Sequence, residues 1–272
     1  SAAEKQPSCR HYSLDELKDI HLAEAILNKY KDTKDALRWA LKPVFLTYLL
    51  QQYEKVIYLD NDLFFFSPFE FLSEELNDSS FLLTPHWSPF SPLPHTSDFE
   101  MNFRLGLYNA GFVGVSRQGM PGLGWWAEAC LFKMAADFSN GYYDDQRYLD
   151  LLPVIDEKAR ILRHQGCNVG GWNIHQNKRI VMNGTVYING RYPVVFIHFN
   201  QSTLEQIALG NDKQLQPFLD IYKASFASFG YSFEQLKKNA AGLSTSPLLR
   251  LKRKVRIRTR LKLLIFQLYQ KF

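Results

Sequence analysis

Little in this sequence could staple the chain covalently or hold it across a bilayer. Its three cysteines, Cys9, Cys130 and Cys167, are odd in number and far apart, which excludes a disulfide scaffold and points to a reducing compartment. Long hydrophobic runs are missing: the stretches 56–59 and 263–266 fall far short of the ~20 residues that a membrane-spanning helix needs. There is no internal repeat and no low-complexity tract. The first residues carry no signal-peptide pattern, which leaves open a leader removed by processing. Acidic residues are absent from Leu249 onward, where nine of the 32 Lys and Arg residues lie. The body before that point holds all 27 Asp and Glu and is therefore net negative, so the overall charge of +5 belongs to a tail. What the chain has in quantity is apolar and aromatic side chains, 46% and 15% of the total, enough for a large buried core.

Periodicity predicts an α/β domain. Residues 14–30 and 34–52 read as amphipathic helices, and Pro43 should kink the second or start a new segment. The run from Lys55 to Asp60 lacks alternation and is rich in β-branched and large apolar residues, which predicts a strand buried on both faces. Further strands are expected at 81–84, 107–116 and 194–199. Helices are expected at 124–138 and at 144–152, the latter ending before Pro153. Glycines inside the third strand run, Gly111 and Gly114, predict a bulge or a close backbone approach. We expect one main domain over 1–230 and a basic extension over 231–272.

The sharpest chemical signal is Asp60-Asn61-Asp62 at the carboxyl end of the first buried strand. In extended backbone, residues two apart share a side, so both carboxylates would aim at one point while Asn61 looks away. Paired hard oxygen ligands suit Mg²⁺ or Mn²⁺, above all where phosphates complete the shell. Alone, such a triplet more often marks an exposed turn. Its placement after a buried strand, where open α/β sheets bind ligands, favours a site.

Together with three later motifs, this segment resembles the GT-A glycosyltransferases, in particular the family 8 retaining enzymes such as glycogenin and the bacterial lipopolysaccharide galactosyltransferases. The stretch 55–68 is similar to that family's metal-binding segment, and Asn109-Ala110-Gly111 to its donor-pocket element. Asp145-Gln146 resembles its Asp-Gln pair, and Ile197-His198-Phe199 the strand that carries its third metal ligand. The resemblance covers roughly residues 36–202 and is nearest to a less characterised bacterial branch. It implies a Rossmann-like mixed sheet flanked by helices, with Mn²⁺ or Mg²⁺ held by Asp60, Asp62 and His198. It further implies a nucleotide-sugar donor, taken to be a UDP-sugar, bound near Asn61, Asn109, Ala110 and Gly111, and sugar hydroxyls bound by Asp145. Gln146 would then lie near the anomeric carbon, and Arg38 and Lys42 would be available to phosphate. Asn168, Trp172, Asn173 and His175 form a polar and aromatic cluster suited to an acceptor glycan.

Two features depart from the family. Gln201 and Leu204 stand where its diphosphate-gripping Gly and Lys would follow His198. The residues ahead of the 55–60 strand look helical and hold no convincing first strand, so an amino-terminal segment carrying the nucleotide-base strands is expected to be missing. The tail residues Arg250, Lys252, Arg253, Lys254, Arg256, Arg258, Arg260 and Lys262 are interleaved with apolar ones, as in an interfacial anchor for anionic lipid. Nucleic acid is the rival ligand, but the acidic body carries no RNA-binding motif to accompany it. The expectation is a metal-dependent glycosyltransferase, peripheral to the cytoplasmic face of a membrane, that acts on a surface glycan or lipid-linked acceptor. The alternatives are a metal-dependent phosphoesterase and a non-catalytic glycan- or membrane-binding domain.

Overall fold

A computed structural model describes residues 10–228 and 230–233. The basic residues Arg250 to Lys262 lie outside the described residues. The chain divides into a compact unit ending at Gln216 and a second beginning at Pro217. Among the described residues no helix is long and apolar enough to cross a membrane.

The first unit opens with a 3-10 turn at Leu14–Leu17, followed by α1 (Ala23–Tyr30), α2 (Lys34–Ala40) and α3 (Lys42–Leu50). The two long helices expected here are each divided. Leu22 takes a left-handed backbone, φ 67°, that separates the turn from α1. Pro43, lacking an N–H, sits in the first turn of α3, where that donor would have no partner, and marks a new helix as anticipated.

Next come β1 (Lys55–Leu59), β2 (Leu63–Phe65), α4 (Glu70–Glu75), β3 (Phe81–Pro85), α5 (Thr96–Arg104), β4 (Tyr108–Ser116) and α6 (Met120–Phe132). A small hairpin of β5 (Ala136–Asp137) and β6 (Tyr142–Tyr143) leads to a 3-10 turn at Gln146–Leu151, α7 (Leu152–Ile155) and β7 (Arg160–Ile161). Pro121 and Pro153 lie in the first turns of α6 and α7, so these prolines begin helices. For Pro153 this corrects the expectation that a helix ends before it.

The main sheet has the order β1-β4-β3-β7, antiparallel except for the β3–β7 pair, and is flanked by helices. This is the mixed α/β architecture that the sequence predicted. β4 is buried at every residue and acts as the spine. β1, expected to be buried on both faces, is a half-buried strand at the sheet's edge; an apolar run does not distinguish that position from a central one.

Alternation along β3 and β4 sorts two cores. Phe81, Leu83, Val113 and Val115 pack with α1, α2, α3 and α6 through Ile26, Ala40, Leu46, Leu123 and Trp126. Leu82 and Phe112 face the other way, onto Leu72, Leu76, Leu162, Val195 and Phe196.

A second antiparallel sheet, β8 (Arg179–Met182), β9 (Thr185–Ile188) and β10 (Tyr192–Pro193), was not foreseen. Its signal was present: Asn183-Gly184 and Asn189-Gly190 both take positive φ, the preference of tight hairpin turns. The chain then forms β11 (Phe196–His198), which pairs with β2, and α8 (Gln201–Ala208), capped by the Asn200 side chain on the Thr203 N–H. In the second unit α9 (Gln216–Ser228) clusters Tyr222 and Phe226 with Phe233.

Two glycines of α6 separate packing from helix propensity. A Cβ at Gly122 would lie 2.5 Å from Cε2 of the buried Phe81, whereas one at Gly124 would meet nothing within 4 Å. Gly122→Ala is therefore expected to destabilise the fold by about 1–2 kcal/mol, and Gly124→Ala to stabilise it by about 0.5–1 kcal/mol. Urea denaturation of the two variants checks this, and equal shifts would contradict the packing described.

Candidate metal centre

β1 delivers Asp60 to the rim of the main sheet, and the Leu63 N–H then bonds back to the Asp60 carbonyl. The sequence suggested an extended Asp-x-Asp; the chain instead turns tightly at Asn61 and Asp62. Asn61 is exposed, and both carboxylates still face one point. β2 runs out of the turn and pairs with β11 in the register Leu63 opposite His198, while the Phe199 N–H bonds to the Asp62 carbonyl. Phe65 of β2 packs at a tilt on Phe196 of β11, whose ring in turn stacks on Phe112. Ligand atoms of Asp60, Asp62 and His198 consequently lie within 4.8 Å of one another.

Asn109 orients the histidine. Its amide oxygen accepts the Gly111 N–H at 2.8 Å, and its NH₂ group faces Asn168 Oδ1 at 3.0 Å and His198 Nδ1 at 3.2 Å. The ring's other nitrogen, Nε2, points at Asp62 Oδ1 2.9 Å away. Burial raises the Asp62 carboxyl, but its hydrogen bond to His198 and that ring's charge outweigh this and hold it below the usual carboxylate range. Gly111 leaves the space the cluster occupies: a Cβ there would come within 2.7 Å of His198 Cε1 and 3.0 Å of Asp60 Oδ2. Two carboxylates and one imidazole converging on a point over a glycine suit Mn²⁺, which accepts both oxygen and nitrogen donors.

Lys42 was expected to be available to phosphate. It is instead buried, 4% exposed, with Nζ 3.0 Å from Asp145 Oδ2, 3.1 Å from the Ala110 carbonyl and 3.8 Å from Asp60 Oδ1. Its ammonium also lies over the Tyr58 ring. The physical reason is charge: Asp145 is as buried as Lys42, and Asp60 lies close by, so a cation must share their space. Burial pushes Asp145 up, and Lys42 opposes that shift. Arg38 keeps an exposed side chain paired with Asp35 at 3.4 Å, yet its charge reaches Asp62.

Gln146, at the start of a 3-10 turn, accepts the Ala110 N–H at 3.2 Å and donates to the Leu105 carbonyl at 2.9 Å. The expected acceptor cluster separates. Asn168 and Asn173 are fully buried, their amides bonded to the Pro85, His86 and Asn168 carbonyls. They shape the loop and do not present themselves to a ligand. Trp172 turns its ring edge to His198, and His175 is exposed.

Two residues escaped the sequence reading. Tyr58 donates to Asp60 Oδ1 at 2.7 Å, and its place two residues earlier on β1 was the available signal. Burial and then the Asp60 charge push its phenol far above the usual range, so it stays protonated and a donor. His86 follows β3 and is buried, with Nδ1–H on the Gly106 carbonyl at 3.0 Å. Burial brings it down to about 4, with the Gly106 bond opposing and the nearby His198 adding to the fall.

No known protein-family profile matches the chain. It is similar to the uncharacterized protein YfnF of Bacillus subtilis (strain 168), 31% identical over 187 residues that take in 66% of this chain and 61% of that protein. It is also similar to the uncharacterized protein YfnD of the same organism, 30% identical over 200 residues, 70% of this chain and 60% of that protein. The chain thus spans about three fifths of the length of the curated relatives it matches. Among solved structures it is similar to mouse xyloside xylosyltransferase 1 in its apo form, with a TM-score of 0.44 and 16% identity over 71% of this chain and 74% of that one.

Breaking the buried pair with Lys42→Met should cost about 3–5 kcal/mol, because Asp145 keeps an uncompensated charge. The Lys42→Met/Asp145→Asn double variant should recover much of that loss in urea denaturation. His86 also sets an acid limit. Its folded pKa of about 4 lies below the ordinary 6.5, so the folded protein holds fewer protons between these values. Its share of stability is complete above the unfolded pKa and is lost as pH falls towards the folded one, about 3 kcal/mol in all. His86→Gln should flatten the stability profile over that window; an unchanged slope would show that another group titrates there.

Proposed function

We propose that the chain is a metal-dependent GT-A glycosyltransferase that moves a sugar from a nucleotide-diphosphate donor, a UDP-sugar, with retention of configuration. The observation that supports this best is the convergence of Asp60, Asp62 and His198 beside Asn109, Gly111 and the Asp145-Gln146 pair. Asp60, Asp62 and His198 would hold Mn²⁺ or Mg²⁺. Such an ion, when bound, acts as a Lewis acid for the charge that develops on a departing diphosphate.

The remaining work falls to the chain's own groups. Tyr58 and Lys42 both meet Asp60 Oδ1 and so fix that carboxylate. Asn109 fixes the His198 ring through Nδ1. Gln146 is held by its amide oxygen on the Ala110 N–H and its NH₂ on the Leu105 carbonyl, and an amide cannot take a proton. That favours attack from the face the diphosphate leaves, with the acceptor proton passing to the leaving group, because an inverting reaction needs a carboxylate base aligned with the acceptor. The acceptor is a surface glycan or lipid-linked glycan presented at the cytoplasmic face of a membrane. The basic stretch from Arg250 to Lys262 supplies the attraction for anionic lipid.

Calorimetric titration with UDP should give binding only when Mn²⁺ is present, and Asp62→Asn should weaken it by at least about tenfold. Binding that ignores both the ion and the variant would sink the metal assignment. No binding of any nucleoside diphosphate would favour a non-catalytic domain.

A further inference from the structure

A second group of metal-competent side chains lies outside the centre just described. His95 is the residue before the first turn of α5, and Asp98 stands three positions later on the same helix face. His175 belongs to the irregular turn that follows Trp172. The His95 and His175 rings stack at 3.5 Å between centroids with planes 11° apart, and His175 Nε2 lies 3.5 Å from Asp98 Oδ2. One nitrogen from each ring and one carboxylate oxygen fall within 4.8 Å of one another. The set thus brings two imidazoles beside one carboxylate, within the span of one ion's ligands.

We propose that His95, Asp98 and His175 form a second binding site, for a divalent transition-metal ion, best matched by Zn²⁺. The ligand chemistry differs from that of the first centre. Two carboxylates and one imidazole suit Mn²⁺, whereas two imidazoles and one carboxylate are a common zinc set that leaves a position for water or a ligand. The three residues come from α5 and from the turn that follows Trp172. α5 lies in the long connection between β3 and β4, and the His175 turn carries Trp172, whose ring stands perpendicular to that of His198 with centroids 5.6 Å apart. An ion held there would tie α5 to the turn that packs Trp172 against His198. The site stands on its own residues and does not depend on the glycosyltransferase reading.

The test uses the full chain with Asp62→Asn and His198→Asn substituted, so that the first centre is disabled, titrated calorimetrically with Zn²⁺ alone. One equivalent should bind, and adding either His95→Gln or His175→Gln should weaken binding by at least about tenfold. Zn²⁺ should also raise the melting temperature of the disabled chain and should not do so once His175 is replaced. His175 is exposed, so the His175→Gln chain is expected to melt normally without metal, which separates lost binding from lost folding. Unchanged Zn²⁺ affinity in both histidine variants, or no Zn²⁺ binding to the disabled chain, would overturn the proposal.

Discussion

Gathering carboxylates at one end of a sheet is electrostatically unfavourable, and the buried ammonium of Lys42 is what permits it here. It stands between Asp145 and Asp60 and also donates to the Ala110 carbonyl of β4. Four pieces of chain therefore meet on one cation: the start of α3, the ends of β1 and β4, and the residue before the 3-10 turn of Gln146. Asp145 is held more by charge than by a well-aligned hydrogen bond, since its Oδ2 meets no partner of good geometry although Nζ is 3.0 Å away. A buried pair of this kind contributes little net stability relative to an apolar substitute, but it ties the geometry of the acidic cluster to the packing of α3.

β4 carries the same logic into the sheet. Its alternate side chains feed two cores, and its Asn109-Ala110-Gly111 segment supplies the His198 partner, the Lys42 acceptor and the gap over which the cluster sits. Packing and chemistry are thus written on one strand. A change that shifts β4 moves both the core and the donor atoms around it.

Much of this was legible in the sequence where one local rule decided the matter. The strands 55–59, 81–85 and 108–116 and the break at Pro43 follow from apolar runs and proline chemistry, while the meeting of His198 with Asp60 and Asp62 was implied by the family resemblance alone. Other features depend on long-range contacts that a linear reading does not contain. Whether the β1 run lies at a sheet edge depends on which strands flank it. Whether Asn168 and Asn173 face a ligand or seal a loop depends on the His86 and Pro85 carbonyls, far away in sequence. Lys42 looked like a phosphate ligand because helix periodicity does not reveal that Asp145 will be buried against it. The β8–β9–β10 sheet was a different kind of omission, since its Asn-Gly turns were readable.

The pairing of β2 with β11 also sets the order in which the molecule can assemble. These strands are distant in sequence, and at their edge Ser67 bonds to the Val194 carbonyl across 127 residues of chain. Bringing such ends together early would enclose a long unstructured loop, whose closure entropy no local contact offsets, so long-range pairings of this kind form slowly and late. Asp60 and Asp62 can be in place as soon as β1 and its turn exist, but His198 joins them only when the intervening chain has been arranged. A nascent or partly opened chain therefore presents two acids without their histidine, and the cluster is complete only when folding has reached its end.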